Sequence, residues 1–318
     1  TSGPMLQAAF TAGVQSTGVH VVDHGVLPTP GLQYMVKAGE FAAGVMITAS
    51  HNPPEYNGIK LFAPDGTETP REEEEKVEKI HFSNRFRTVN WDKVGGLSIV
   101  KDAIERYVDA ILKLVDVSRI KRAKMKVVLD AGGGAGCVAG LRLLKELGVK
   151  TTKVACEYDG AFTTRPSEPI EANAAIAKAK VVESKSHFGV LLDGDCDRAV
   201  FITQEGKYVW GDQGLAVVVK EELKRAGGGI VCTPVSTSTA VADVARMNRG
   251  EVFWTPVGSP IVAREMIARK SVVGGEDNGG IIIARHQYCR DALAAVALML
   301  ATIVRTKHSL ADLVEETD

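Results

Sequence analysis

An α/β protein made of three similar units is predicted by three features of this 318-residue chain. Short apolar runs alternate with segments of helical periodicity from end to end, a grammar that favours parallel-type sheets with helices on both faces. The strand–loop–helix order recurs in three stretches of similar length, which reads as a repeated architecture. A composition of 45% hydrophobic and 24% charged residues is enough for two or three separate cores.

Taken in order, residues 5–16 have a helical pattern that Gly18 ends, with Ser2 as a cap and Pro4 in the first turn. A unit that opens on a helix suggests that its first strand lies upstream of Thr1. A strand at 19–23, a turn-rich loop at 25–30, a helix at 31–37 and a strand at 42–48 follow. That last strand runs into Ser50-His51-Asn52-Pro53-Pro54, a proline-stiffened loop of the kind that presents a polar side chain at a sheet edge. Residues 56–62 turn into another strand with Lys60 near its start. The glutamate-rich stretch 71–80 reads as a solvated helix, with Glu72–Lys76 and Glu75–Lys79 at i,i+4 spacing. A helix at 102–115 then reaches a basic link, 118–126, the first candidate boundary.

The second unit begins with a buried strand at 125–130 and the run Gly132-Gly133-Gly134-Ala135-Gly136, followed by a helix at 138–147 and a strand near 153–155. A dinucleotide fingerprint from Gly132 needs glycine at position 137, which is Cys137, so tight strand–helix packing explains these glycines better. The strand at 187–192 runs into Asp193-Gly194-Asp195-Cys196-Asp197-Arg198. A third unit follows from about residue 212. It has helices at 214–225 and 239–247, strands at 229–233 and 252–254, and a Gly258-Ser259-Pro260 loop with a helix behind it. A strand at 271–273, a glycine-rich break at 274–280 and a strand at 281–284 complete it. The apolar run 292–304 falls short of the about 20 residues that span a bilayer, so it is expected to be a buried core helix.

A net charge of −1 argues against nucleic acid or an anionic membrane as partner. Five scattered cysteines without metal-type spacing read as reduced thiols, and with no secretory signal pattern a cytoplasmic protein is expected.

The strongest chemical signal is Asp193, Asp195 and Asp197. Alternate residues of an extended chain point the same way, so the three carboxylates can converge, with Gly194 allowing the sharp path. Converging like charges call for a hard divalent cation on oxygen ligands, Mg²⁺ by preference; the plainer alternative is an acidic surface turn. Arg198 suits either a phosphate or a neighbouring carboxylate. A carboxylate-held cation serves phosphoryl transfer, and that gives Ser50 a role as phosphoryl carrier. His51 can hold a phosphate or shuttle a proton, or be structural. Lys60 can stabilise developing charge, act as base if its pKa is lowered, or be an edge lysine. Glu276 and Asn278 lie in a glycine-rich loop suited to vicinal sugar hydroxyls, or to a capped turn.

The motifs Thr48-Ala49-Ser50-His51-Asn52-Pro53, Asn57-Gly58-Ile59-Lys60, Asp193-Gly194-Asp195-Cys196-Asp197-Arg198 and Gly275-Glu276-Asp277-Asn278-Gly279 occur in the order found in the α-D-phosphohexomutases. The chain resembles the first three domains of that family, of phosphomannomutase/phosphoglucomutase or phosphoglucosamine mutase type and archaeal-like. The resemblance implies three three-layer α/β/α domains with mixed sheets, at 1–118, 119–212 and 213–318, carrying the serine loop, the metal loop and the sugar loop. It implies that Ser50 is the phosphoserine and binds Mg²⁺ with Asp193, Asp195 and Asp197. Arg198 is then beside the reacting phosphate, and His51 and Lys60 assist proton transfer. Glu276 and Asn278, with Gly258 and Ser259, hold the sugar. The implied reaction interconverts a hexose 1-phosphate and 6-phosphate through a sugar bisphosphate. The implied partner is a small-molecule sugar phosphate, and the implied assembly at most a homodimer.

The chain departs from the family pattern at Pro256, where lysine is common, at Ala292 after Arg290-Asp291, where glycine is usual, and at Gly133 or Gly134 and Asn278. An arginine-bearing segment before Thr1 and a fourth, phosphate-binding domain after Asp318 are expected of the family and lie outside these residues. Three other readings compete: a phosphoglucosamine mutase, a truncated sugar-phosphate-binding paralogue without turnover, and a Mg²⁺ phosphatase with Asp193 as nucleophile.

Overall fold

The computed structural model describes residues 2–317. Within it, helices flank mixed sheets in three successive units. In the first unit the strands form two separate pairs. Val21–Asp23 runs parallel to Leu97–Ile99, while Gly44–Ile47 is antiparallel to Ile59–Phe62, with Met46 opposite Lys60. The second unit has a five-stranded sheet ordered Lys150–Val154, Lys126–Asp130, Phe188–Leu192, Ala199–Ile202, Tyr208–Val209. Its first three strands are parallel and its last two antiparallel. The third unit repeats that plan in four strands, Gly250–Thr255, Gly229–Pro234, Val273–Gly275 and Ile281–Ile283, the last one antiparallel.

The two larger sheets follow their sequence closely because their central strands are buried on both faces. Phe188–Leu192 is buried at every position and contains only apolar residues and glycine, the pattern a strand takes when helices cover both sides. Ala292–Thr306 is the core helix anticipated from the sequence, with eleven of its residues buried, running from Ala292 to Ile303. Asp291 caps it, accepting from the Ala294 amide at 2.9 Å. The helix packs against Ala103–Leu112, Val117–Ala123 and Gly211–Ala226, so it sits where the first and third units meet. No helix among the described residues is long and apolar enough to cross a membrane.

Three local expectations are corrected. The basic stretch 118–126 is not an open link: Val117–Ala123 is a helix, capped by Asp116 on the Arg119 amide at 2.9 Å, with Lys121 and Arg122 at its negative end. Its only buried residue, Ile120, anchors it. The exposed helix Arg71–Ser83 forms, but its ion pairs are Arg71 with Glu74, Glu75 and Glu78, and Lys76 with Glu73, instead of Glu72–Lys76 and Glu75–Lys79. Surface pairs of long side chains differ by only tenths of a kcal/mol, about 0.3–0.5 each, so spacing does not choose among them. Ser2 stands at the N-cap of Gly3–Ser16 without a capping hydrogen bond, because its backbone is already helical (φ −81°, ψ −12°).

Candidate active site

The loop after Phe188–Leu192 folds as a turn, and this is how its three carboxylates meet. The expected extended path is absent: Cys196 takes a left-handed conformation (φ 62°), and the Cys196 amide donates to Asp193 O at 3.2 Å. Gly194 contributes closeness instead of a special dihedral. A Cβ there would stand 2.6 Å from both Ser50 O and Ser167 Oγ.

In this turn, Asp193, Asp195 and Asp197 are each at most 3% exposed, and one oxygen from each lies within 4.8 Å of the others. Each carboxylate commits one oxygen to the protein. Asp193 Oδ1 accepts the amides of Asp197 and Arg198 at 3.0 and 3.1 Å. Asp195 Oδ2 accepts from Thr29 Oγ1 at 2.8 Å and Lys60 Nζ at 2.7 Å. Asp197 Oδ2 accepts from Arg290 Nη2 at 2.5 Å. The other three oxygens, Asp193 Oδ2, Asp195 Oδ1 and Asp197 Oδ1, are buried and make no hydrogen bond. A buried anionic oxygen without a partner is costly, and three together suit one hard divalent cation with oxygen ligands. The residues therefore fit such an ion, although the donor set alone does not choose among hard cations.

Electrostatics follow the same geometry. Burial and then the Asp197 and Asp195 charges push the Asp193 carboxyl well above its usual range. Burial acts the same way on Asp197, but Arg290, Lys60 and Arg198 outweigh it and hold that carboxylate ionised. Burial opposes the Lys60 ammonium, yet Asp197 and Asp195 more than compensate and raise it above the ordinary lysine value. The two aspartate charges thus act against the lowered pKa that a base would need.

The serine turn comes from the edge of Gly44–Ile47. Thr48 Oγ1 accepts the Ser50 amide at 2.8 Å and the Asn52 amide donates to Ala49 O at 3.0 Å. The turn puts Ser50 in a left-handed conformation (φ 54°), a strained choice for serine of the sort found where a side chain must be aimed. His51 Nδ1 lies 3.4 Å from Ser50 Oγ. Burial, then the Arg198 charge, lowers the His51 pKa and favours neutral imidazole. Ser167 Oγ donates to Ser50 O at 3.2 Å, fastening the serine turn to the second unit.

Of the third-unit residues, Glu276 is 3% exposed and accepts from Arg290 Nη1 at 2.6 Å. Asn278 Oδ1 accepts the Gly280 amide at 3.1 Å. Gly258 begins the helix Ser259–Arg269 in a conformation suited to glycine (φ 134°), and Ser259 Oγ donates to Glu68 Oε1 at 3.4 Å. Arg198 Nε is buried without a hydrogen-bond partner, 3.9 Å from Asp197 Oδ1. The structure thus joins Lys60 and the aspartates directly and links Glu276 to them through Arg290. Ser259, after Gly258, contacts Glu68 of the first unit.

Sequence reasoning missed several supports. Thr29 and Arg290 bind the aspartates from 166 and 93 residues away in the chain, and nothing local to either announces it. Buried Arg165 pairs with Asp130 at 2.8 Å and donates to Leu192 O at 2.7 Å, bracing the strand end just before Asp193. The glycine run 132–136 serves the same loop. A Cβ on Gly134 would stand 2.3 Å from Gly194 O, while one on Gly136 would meet Leu192 and Cys196. The expected strand–helix packing is therefore only part of its reason. A separate cavity of about 440 Å³, floored by Ile120, Val218 and Leu298, lies outside this cluster. Its arginines Arg225 and Arg285 are paired to buried Glu222.

Fold and site together define a three-unit α/β protein with a cluster of three buried carboxylates, able to hold a cation, where its units meet. Residues 1–88, 105–206 and 210–318 match, respectively, the α/β/α domains I, II and III of the family described as phosphoglucomutase/phosphomannomutase. A phosphoglucomutase/phosphomannomutase of Thermococcus kodakarensis is 39% identical over 315 residues, spanning 99% of this chain and 69% of that protein. A phosphoglucosamine/phosphogalactosamine mutase of Sulfurisphaera tokodaii is 37% identical, spanning 98% of this chain and 69% of that protein. A crystal structure of a phosphoglucomutase/phosphomannomutase family protein from Burkholderia thailandensis superposes with a TM-score of 0.91 at 26% identity, covering 100% of this chain and 69% of that one. The chain belongs to this family of isomerases, the α-D-phosphohexomutases.

Proposed function

We propose that this protein moves a phosphoryl group between the 1- and 6-positions of a hexose or hexosamine phosphate, with Ser50 as the carrier. The observation that carries this reading is the meeting of two turns: Gly194, between two of the aspartates, is pressed against the carbonyl of Ser50. In the first half-reaction the Oγ–P bond of phosphorylated Ser50 breaks as a sugar hydroxyl oxygen bonds to phosphorus. The sugar hydroxyl gives up its proton and Ser50 Oγ ends protonated. Neutral His51, 3.4 Å from Ser50 Oγ, is suited to accept that proton and pass it to Ser50 Oγ. The sugar bisphosphate then turns round and returns its other phosphoryl group to Ser50.

Asp193, Asp195 and Asp197, with an oxygen on Ser50, would hold a divalent cation, Mg²⁺ by preference, that neutralises charge on the transferring phosphoryl group. Lys60 is assigned a fixed positive charge beside that group. Arg198 is suited to grip phosphate, since its Nε makes no hydrogen bond within the protein. Glu276, Asn278, Gly258 and Ser259 are assigned to the sugar. The domain limits 1–118, 119–212 and 213–318 go with these three roles.

Two features favour the serine over Asp193 as the group that takes phosphate. Asp193 is fully buried, and its Oδ1 already accepts two amides. Incubation with a labelled sugar bisphosphate tests this: label is expected on Ser50 and abolished by Ser50→Ala. Label on Asp193, or none on Ser50, overturns the reading. Relative kcat/KM for mannose, glucose and glucosamine phosphates assigns the sugar. Retained binding of all three without conversion would instead favour a binding paralogue.

A further inference from the structure

Arg290 bridges two functions that sequence keeps apart. Its Nη2 donates to Asp197 Oδ2 at 2.5 Å and its Nη1 to Glu276 Oε2 at 2.6 Å. One planar guanidinium therefore holds both a cation-cradle carboxylate and the buried carboxylate of the glycine-rich loop. The side chain is only 9% exposed, so water screens neither contact. It is also firmly rooted. Arg290 forms a β-bridge with Ile282, its stem lies where a Cβ on Gly280 would come within 2.2 Å, and the next residue, Asp291, caps the core helix.

Removing this one cation would leave two buried carboxylates, Asp197 and Glu276, each without its strongest partner. Asp197 would also lose the contact that fixes its Oδ2 and holds the carboxylate in the cluster it forms with Asp193 and Asp195. Lysine cannot replace it, because an ammonium lacks the planar fork that reaches two acceptors in fixed directions.

Resting on the cation-site reading above, we infer that Arg290 is a positioning residue whose shared charge couples the aspartate cradle to Glu276, so that a change at Glu276 is felt as a change in cation affinity. Glu276 itself is not a candidate ligand of the cradle. When Glu276 loses its charge, Arg290 loses the second carboxylate that fixes its planar fork, and Asp197 is held less firmly in the aspartate cluster. Cation binding weakens without any change in the three ligands.

Mn²⁺ titration of the whole chain, followed by electron paramagnetic resonance without substrate, tests this independently of turnover. Arg290→Met and Arg290→Lys are both expected to weaken Mn²⁺ binding about tenfold or more, in the range found when supporting groups of metal ligands are removed. Glu276→Gln should weaken it severalfold, and that effect should vanish in the Arg290→Met background, since the pair acts through one group. If Arg290→Met does not fold, Glu276→Gln alone decides, because it leaves the Arg290–Asp197 pair in place. Mn²⁺ affinity within twofold of the unaltered chain in Glu276→Gln, or additive effects in the double variant, overturns the coupling and leaves the cation site standing. Absence of any Mn²⁺ binding by the unaltered chain overturns both.

Discussion

Lys60 Nζ stands 2.7 Å from Asp195 Oδ2 and 3.6 Å from Asp197 Oδ2, tying the strand beside the serine turn to a loop 135 residues away. With its pKa raised by those charges, Lys60 stays an ammonium at neutral pH. Lys60→Met should therefore lower kcat by about 10²–10³-fold, the size of loss seen when a preorganised charge-stabilising donor is removed. Steady-state kinetics with a circular-dichroism check of folding measures this, and a loss below tenfold would count against a role in the reaction.

Cation binding should also appear as stability. Three buried carboxylates crowd one another in the free protein, which adds to the effect of burial in raising the Asp193 pKa, and a ligand that binds only the folded state stabilises it by about 2.7 kcal/mol at a hundredfold excess over Kd. Millimolar Mg²⁺ is expected to raise Tm by about 5 °C. Asp193→Asn keeps an acceptor for the two amides but removes a charge and a ligand, so its Tm without Mg²⁺ should not fall, while the response to Mg²⁺ should disappear.

Gly134→Ala is expected to damage the site without touching a charged group. Its Cβ would come 2.3 Å from Gly194 O and 2.7 Å from Gly194 Cα, both backbone atoms that cannot step aside alone. Overpacking of this kind costs about 1–3 kcal/mol. Chemical denaturation should show that loss, and Mg²⁺ titration should show weakened binding.

Asp291, the cap of the core helix, supplies a pH test. Burial would raise its pKa, but the neighbouring His286 at 3.2 Å, the Ala294 amide and the Tyr107 hydroxyl together lower it below the usual aspartate value. A depressed folded-state pKa contributes stability that is complete above the unfolded value, near 3.9, and is lost as pH falls through the folded value. Wild-type stability should accordingly fall below about pH 4, and Asp291→Asn should flatten that limb. Tyr107→Phe, which removes a 2.7 Å hydrogen bond to a buried carboxylate, should cost about 1.5–3 kcal/mol at neutral pH.

Much of the site was legible locally because its chemistry is dense in short segments. An apolar strand ending in three alternate aspartates, and a strand ending in Ser50 before two prolines, carry their meaning within ten residues. The supporting groups were not legible for a physical reason. Thr29, Arg165 and Arg290 act through contacts with residues far away in the chain, and alone each is an ordinary polar residue near a turn. Surface ion pairing on Arg71–Ser83 was misread because the competing pairs are nearly equal in energy.

What the sequence by itself determined was the alternation of buried strands and helices, the repeat of three units, and the residue types able to hold a cation and carry phosphate. Periodicity and residue chemistry are local properties, and burial of the apolar face enforces them. What only the tertiary structure decided was how the carboxylates are used. The turn at Cys196 brings them together, amides of the same loop take one oxygen of Asp193, and Thr29 with Lys60 from the first unit and Arg290 from the third take one oxygen of Asp195 and of Asp197. The remaining oxygen of each aspartate stays buried without a hydrogen bond, because charged groups in a dry interior must be paired and the packing of the three units settles which partners they receive.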